Sequence, residues 1–144
     1  MIGFLLENGN DQDAVQAINT WSRQKRCNVF SSTLIPSLQT NVMQRYEAFH
    51  FNGKIITDNF RLCQQLPHLG YCKKRYYYIQ NYEWMNAQQL PYRIMKNTLL
   101  HPNIDLIVND QSQVKLIEEL TNKKVQYVMN NWDINVLRQI DERE

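Results

Sequence analysis

Five short apolar runs along the chain each end in Asn, Asp, Gln or Glu, and four of the five lead into sequence with helical spacing. Residues 2–6 run into Glu7-Asn8-Gly9-Asn10-Asp11, and Lys54-Ile55-Ile56 runs into Thr57-Asp58-Asn59. Residues 76–79 run into Gln80-Asn81-Tyr82-Glu83, residues 104–108 into Asn109-Asp110, and residues 125–129 into Asn130-Asn131-Trp132-Asp133. In an open parallel sheet the carboxyl ends of the strands share one rim, and ligands bind there where the strand order reverses. The pattern therefore predicts one polar rim assembled from five distant places.

Between these runs the period shifts from two, or continuous apolar, to 3.6, which is the signature of βαβ units. Residues 2–6 read as a buried first strand. A helix follows over residues 11–24, with Ala14, Val15, Ile18 and Trp21 on one stripe and Asp11 placed to cap it. Strands are predicted at 27–30, 46–51, 54–57, 75–80, 104–108 and 125–129. The stretch 31–45 holds Pro36 and reads as loop. Asn52-Gly53 marks a turn before the fourth strand. A short helix from Phe60 stops at Pro67, and a longer one starts near Pro91 and ends at His101-Pro102. Asp110 and Asp133 stand where two further helices need caps, the first striped by Val114, Ile117 and Leu120, the second by Val136, Leu137 and Ile140. Right-handed crossovers leave few topologies. The expected fold is a single Rossmann-like α/β domain: a mostly parallel sheet of six or seven strands with helices on both faces and the first strand central.

Length and composition narrow the class without naming a chemistry. The 144 residues suit one domain with a real core, and 43% apolar with 21% charged residues is ordinary for a soluble globular protein. A net charge of +2 is too small to argue for a nucleic-acid surface. Its basic groups, Arg23-Lys25-Arg26, Lys73-Lys74-Arg75 and Lys123-Lys124, each precede a predicted strand and so fall on the opposite edge of the sheet. Cys27, Cys63 and Cys72 form no C-x-x-C pair, which fits a reducing compartment. Cys63, His68 and Cys72 lack a fourth zinc ligand nearby, so no metal is expected. No apolar run approaches the roughly 20 residues of a membrane span, and the expected location is cytoplasmic. Met1 and the charged finish suggest a complete chain.

Several active-site classes lack their motifs. There is no G-x-G-x-x-G and no Walker lysine loop, so the phosphate cradles of the dinucleotide and P-loop folds are missing. G-x-S-x-G and H-E-x-x-H are absent as well. Gly9, within Glu7-Asn8-Gly9-Asn10, either shapes a turn or lets an anion approach the first helix. His50 is a packed strand residue before it is a catalyst. Asp11, Asn59, Asp110 and Asp133 have helix capping as their plain explanation. Two carboxylates are harder to dismiss. Asp58 precedes the cap Asn59, and Glu83 follows an aromatic strand without being an evident cap. Beyond neighbouring strands they would face one crevice and either can serve as a general base.

From about Gly53 to Asp133 the chain resembles the amino-terminal half of two-domain, Rossmann-like glycosyltransferases of the GT-B type. The residues that carry the resemblance are Gly53-Lys54-Ile55-Ile56-Thr57-Asp58-Asn59, the aromatic strand Tyr76-Tyr77-Tyr78-Ile79-Gln80-Asn81-Tyr82-Glu83-Trp84, and the closing units 104–110 and 125–131. The aromatic strand is similar to one that ends in Gln-Asp-x-Glu, with Asn81 in place of the Asp.

The resemblance implies an acceptor-side half; the rim reading above makes Asp58 and Glu83 its candidate catalytic groups. Glu7, Asn8, Gly9, Asn10, Asn59, Asn81, Asn109, Asp110 and Asn131 would line the ligand. In that family the carboxyl-terminal domain holds most contacts to the nucleotide sugar, and this chain stops where that domain would begin. It would thus bind no cofactor alone, and a nucleotide sugar only with a donor-domain partner. A split enzyme, a non-catalytic binding or assembly module, and a fragment of a longer enzyme all fit. The Asn, Lys and Ile content hints at an AT-rich phage or bacterial genome.

Overall fold

Seven parallel strands lie side by side in the computed structural model, which describes residues 1–80 and 92–143, with the backbone alone for residues 92–95. The strands are β1 (Ile2–Leu5), β2 (Cys27–Phe30), β3 (Val42–Met43), β4 (Lys54–Thr57), β5 (Lys74–Ile79), β6 (Asp105–Val108) and β7 (Tyr127–Val128). Their spatial order is β3-β2-β1-β4-β5-β6-β7, and every neighbouring pair is parallel. The chain builds outward from β1 to one edge, then returns to β4 and builds to the other. The order reverses between β1 and β4, which is the place where such sheets bind ligands.

Helices cover both faces, giving the three-layer Rossmann-like domain. They are α1 (Gln12–Gln24), α2 (Phe60–Cys63), α3 (Tyr92–Leu99), α4 (Ser112–Thr121) and α5 (Ile134–Glu142). Two buried clusters lie on opposite sides of the sheet. One joins Leu5, Phe30, Ile55, Tyr77 and Leu106 to Phe60 and Leu62 of α2 and Ile117 of α4. The other joins Phe4, Val29, Ile56, Tyr76, Tyr78 and Ile107 to Ile18 and Trp21 of α1 and Leu137 and Ile140 of α5. Successive strand residues point to opposite faces, and a parallel sheet is covered on both. That explains three tyrosines in a row: Tyr76 and Tyr78 enter one core, Tyr77 the other.

One predicted strand is overturned. Residues 46–51 form no strand; Arg45–His50 is a 3-10 helix, and the third strand is Val42–Met43. The Gln44 N–H donates to Glu47 Oε2 at 2.7 Å, satisfying a donor at the helix start from within the segment. Only Ala48 of the six residues is buried. The apparent alternation of Tyr46, Ala48 and His50 thus had no buried face to serve. The α4 stripe also departs from expectation: Ile117 is buried, while Leu120 and Leu116 are exposed.

Two lysines close helix ends on the far edge of the sheet. The buried Lys54 ammonium donates to the carbonyls of Ile140 (2.6 Å), Asp141 (3.0 Å) and Arg143 at the end of α5. Lys123 donates to Leu99 (3.1 Å), His101 (2.9 Å) and Ile104 after α3. Helix carbonyls without intrahelical partners attract cations. Burial lowers the Lys123 pKa, and the charge of Asp105 opposes that shift. The basic group 123–124 therefore includes a structural lysine.

Candidate functional site at the carboxyl rim

The reversal point brings together residues 52 positions apart. Glu7 leaves β1, and its carboxylate accepts a 2.6 Å hydrogen bond from Asn59 Nδ2 at the exit of β4. Arg61, on the first turn of α2, places its guanidinium 3.9 Å from the other Glu7 oxygen. Asn59 does double duty, because its Oδ1 accepts the Leu62 N–H at 3.0 Å and so caps α2. Both partners are substantially exposed, Glu7 by 46% and Arg61 by 81%, so the ion pair itself contributes little. Asp58 lies beside them, half-buried, at the end of the same strand.

A second knot gathers at β5, β6 and β7. The Tyr78 hydroxyl lies 3.1 Å from Asn109 Oδ1 and also contacts the Met129 carbonyl, while its oxygen accepts the Trp132 N–H at 3.4 Å. A phenol has one proton, so it donates to one of those two acceptors at a time. Asn109 Oδ1 also receives the Asn131 N–H at 3.3 Å. Asn131 and Trp132 are both left-handed, with φ of 49° and 57°. Such a conformation is rare for a bulky residue and persists only when the surroundings hold it. Here Trp132 is wedged edge-on against Tyr78, ring centres 4.8 Å apart, and against Phe4.

The two knots share one electrostatic environment. Burial is the largest influence on Tyr78 and pushes its pKa up to about 12; the Trp132 N–H opposes this, and the charges of Asp58 and Asp11 add to it. The phenol thus senses carboxylates from the β4 exit and from the start of α1. The parallel sheet puts its strand exits on one edge, where Glu7, Asp58, Asn59, Asn109 and Asn131 follow β1, β4, β6 and β7; the β5 exit beyond Gln80 lies outside the described residues.

Several candidates have local structural work. Asp11 accepts the N–H groups of Asp13 (3.1 Å) and Ala14 (3.2 Å), and Asp133 that of Asn135 (2.8 Å). Asn8 Oδ1 accepts the Asn10 N–H at 2.9 Å, a closed turn. Asp110 accepts the Ser112 N–H at 3.2 Å, but the residue at the start of α4 is Gln111 and no side chain caps it, so the expected Asp110 cap does not form. For Gly9, packing is the observed reason: a Cβ there would stand 2.7 Å from Ile35 Cγ2. Asn81 and Glu83 lie outside the described residues, so the suggested meeting of Glu83 with Asp58 does too.

Tyr78 and Arg61 escaped sequence reasoning. Tyr78 looked like core, which it also is; its same-face parity with Ile56 and Ile107 was legible, its buried hydroxyl was not. Arg61 follows the Asn59 cap by two residues and therefore turns back toward the rim.

Burial pushes the Cys27 thiol up to about 11, against a hydrogen bond from Thr40, and also raises Cys63 and Cys72. All three are free and buried. Among the described residues no cluster of His, Cys, Asp or Glu is arranged to hold a metal, and no helix is long and apolar enough to cross a membrane. No protein-family model matches the chain, and no match was found among curated proteins or solved structures. What fold and rim define is a Rossmann-like α/β domain with a polar reversal point.

Proposed function

We propose that the chain is the acceptor-side half of a GT-B type glycosyltransferase, working with a donor-binding chain or domain that carries the nucleotide sugar. The observation that supports this most is the reversal point. A half-buried carboxylate, Asp58, stands there beside the Glu7–Asn59–Arg61 group, within electrostatic reach of a buried phenol. In this reading Asp58 takes the proton of the acceptor hydroxyl as its oxygen bonds to the sugar's C1, the C1–O bond to the nucleotide diphosphate breaks and the nucleotide leaves on the donor-binding partner; Glu83 assists, and Glu7, Asn59 and Arg61 orient the acceptor. The test is to mix the chain with a candidate donor-binding partner and follow release of nucleotide from a sugar nucleotide. Release only in the mixture, lost in Asp58→Asn with the fold intact by circular dichroism, is the expected result.

A second reading, a non-catalytic binding or assembly module, is favoured by the way the rim groups satisfy one another. Glu7 is engaged by Asn59 and Arg61, and Asn109 by Tyr78 and Asn131. Partner binding without turnover, unaltered by Asp58→Asn, would establish it instead.

A further inference from the structure

The 3-10 helix that replaced the predicted third strand opens a cleft no motif announced. Side chains three apart on a 3-10 helix eclipse one another. Tyr46 and Phe49 therefore stand on one side of Arg45–His50, and they are 68% and 48% exposed. Together with Arg45 they line one wall of a cavity of about 240 Å3, with Gln65 on the other side and Leu5, Ala48 and Leu69 also lining it. Leu5 is the last residue of β1, two before Glu7, so the cleft opens beside the reversal point. Gln65 lies four residues after Arg61, one helical turn along the same crossover.

We propose that this cleft binds a pyranose ring of a saccharide acceptor, a step that rests on the acceptor-side reading above and specifies its substrate class. Apolar surface exposed beside a groove is one mark of a ligand-binding site. An aromatic face carries negative charge density and attracts the weakly positive C–H groups of a sugar. The lining joins apolar floor to a few polar groups, the usual make-up of a small-molecule site. Arg45, Gln65 and Tyr46 all line the cleft and carry hydrogen-bond donors that ring hydroxyls can use.

The test is a titration of 15N-labelled protein with the methyl glycosides of glucose, galactose, mannose, N-acetylglucosamine and glucuronate, with uridine as the stacking control. At least one glycoside should shift amides within residues 45–50 and 64–69, and Tyr46→Ala with Phe49→Ala should weaken it about tenfold. Because both side chains are exposed, the fold should persist; the wild-type shift map stands even where a variant does not fold. No shift with any glycoside, tighter binding of uridine at these amides, or binding indifferent to both substitutions in a folded variant would overturn the proposal. Sugar binding here, with no nucleotide release in the mixture with a donor-binding partner, would uphold it and defeat the enzymatic reading. Transfer untouched by the two substitutions would do the reverse.

Discussion

Asn59 Nδ2 donates to Glu7 Oε2 at 2.6 Å, so the residue that caps α2 is tied to the carboxylate that ends β1. Asn59→Asp keeps the cap acceptor and exchanges the donated hydrogen bond for a second carboxylate. Two such groups raise the pKa of one of them. Two ionised carboxylates held side by side repel each other, and protonating either one relieves the repulsion. The variant's urea midpoint should therefore be close to wild type at pH 4 and clearly lower at pH 7. An equal deficit at both values would show that the two side chains do not interact in solution.

Tyr78→Phe removes one hydroxyl from four neighbours: Asn109, Met129, Trp132 and, through Asn109, Asn131. The buried Trp132 N–H then loses its acceptor, and the expected cost is about 1–3 kcal/mol. The pH dependence should carry a sign as well. The wild-type phenol is shifted from near 10 to about 12. Its stabilisation is complete below pH 10 and is lost between 10 and 12. Tyrosinate absorbance at 295 nm in wild type and variant should differ by one late-titrating group.

Lys54→Met retains length and loses every donor to the carbonyls of Ile140, Asp141 and Arg143. The end of α5 should fray at a cost of about 1–3 kcal/mol. Hydrogen exchange should speed up at the amides of residues 139–143 first. Uniform loss of protection across α5 and β4 would mean the lysine holds the core rather than the helix end.

Gly9→Ala sets a Cβ 2.7 Å from Ile35 Cγ2. Overpacking of this kind costs about 1–3 kcal/mol. In a double-mutant cycle with Ile35→Ala the two penalties should be less than additive, because the second change removes the clash. Strict additivity in thermal melts would refute the contact.

Much of this architecture was legible in the order of residues, and the reason is local. Apolar runs closed by amides and carboxylates, the caps Asp11, Asn59 and Asp133, and the proline and glycine breaks are each set by near neighbours along the chain. That was enough for a parallel sheet, its helices and one polar edge. Tertiary structure decided the rest. Tyr46 and Phe49 left the sheet because Glu47 satisfies the backbone of a 3-10 turn and no core face awaited them. Gly9 is a glycine because of Ile35, 26 positions away, and Tyr78 became a polar hub because strands β6 and β7 deliver Asn109 and Trp132 to it. Glu7 met Asn59 because the strand order reverses between β1 and β4. Such pairings depend on which segments lie beside each other, and spacing along a chain does not encode that.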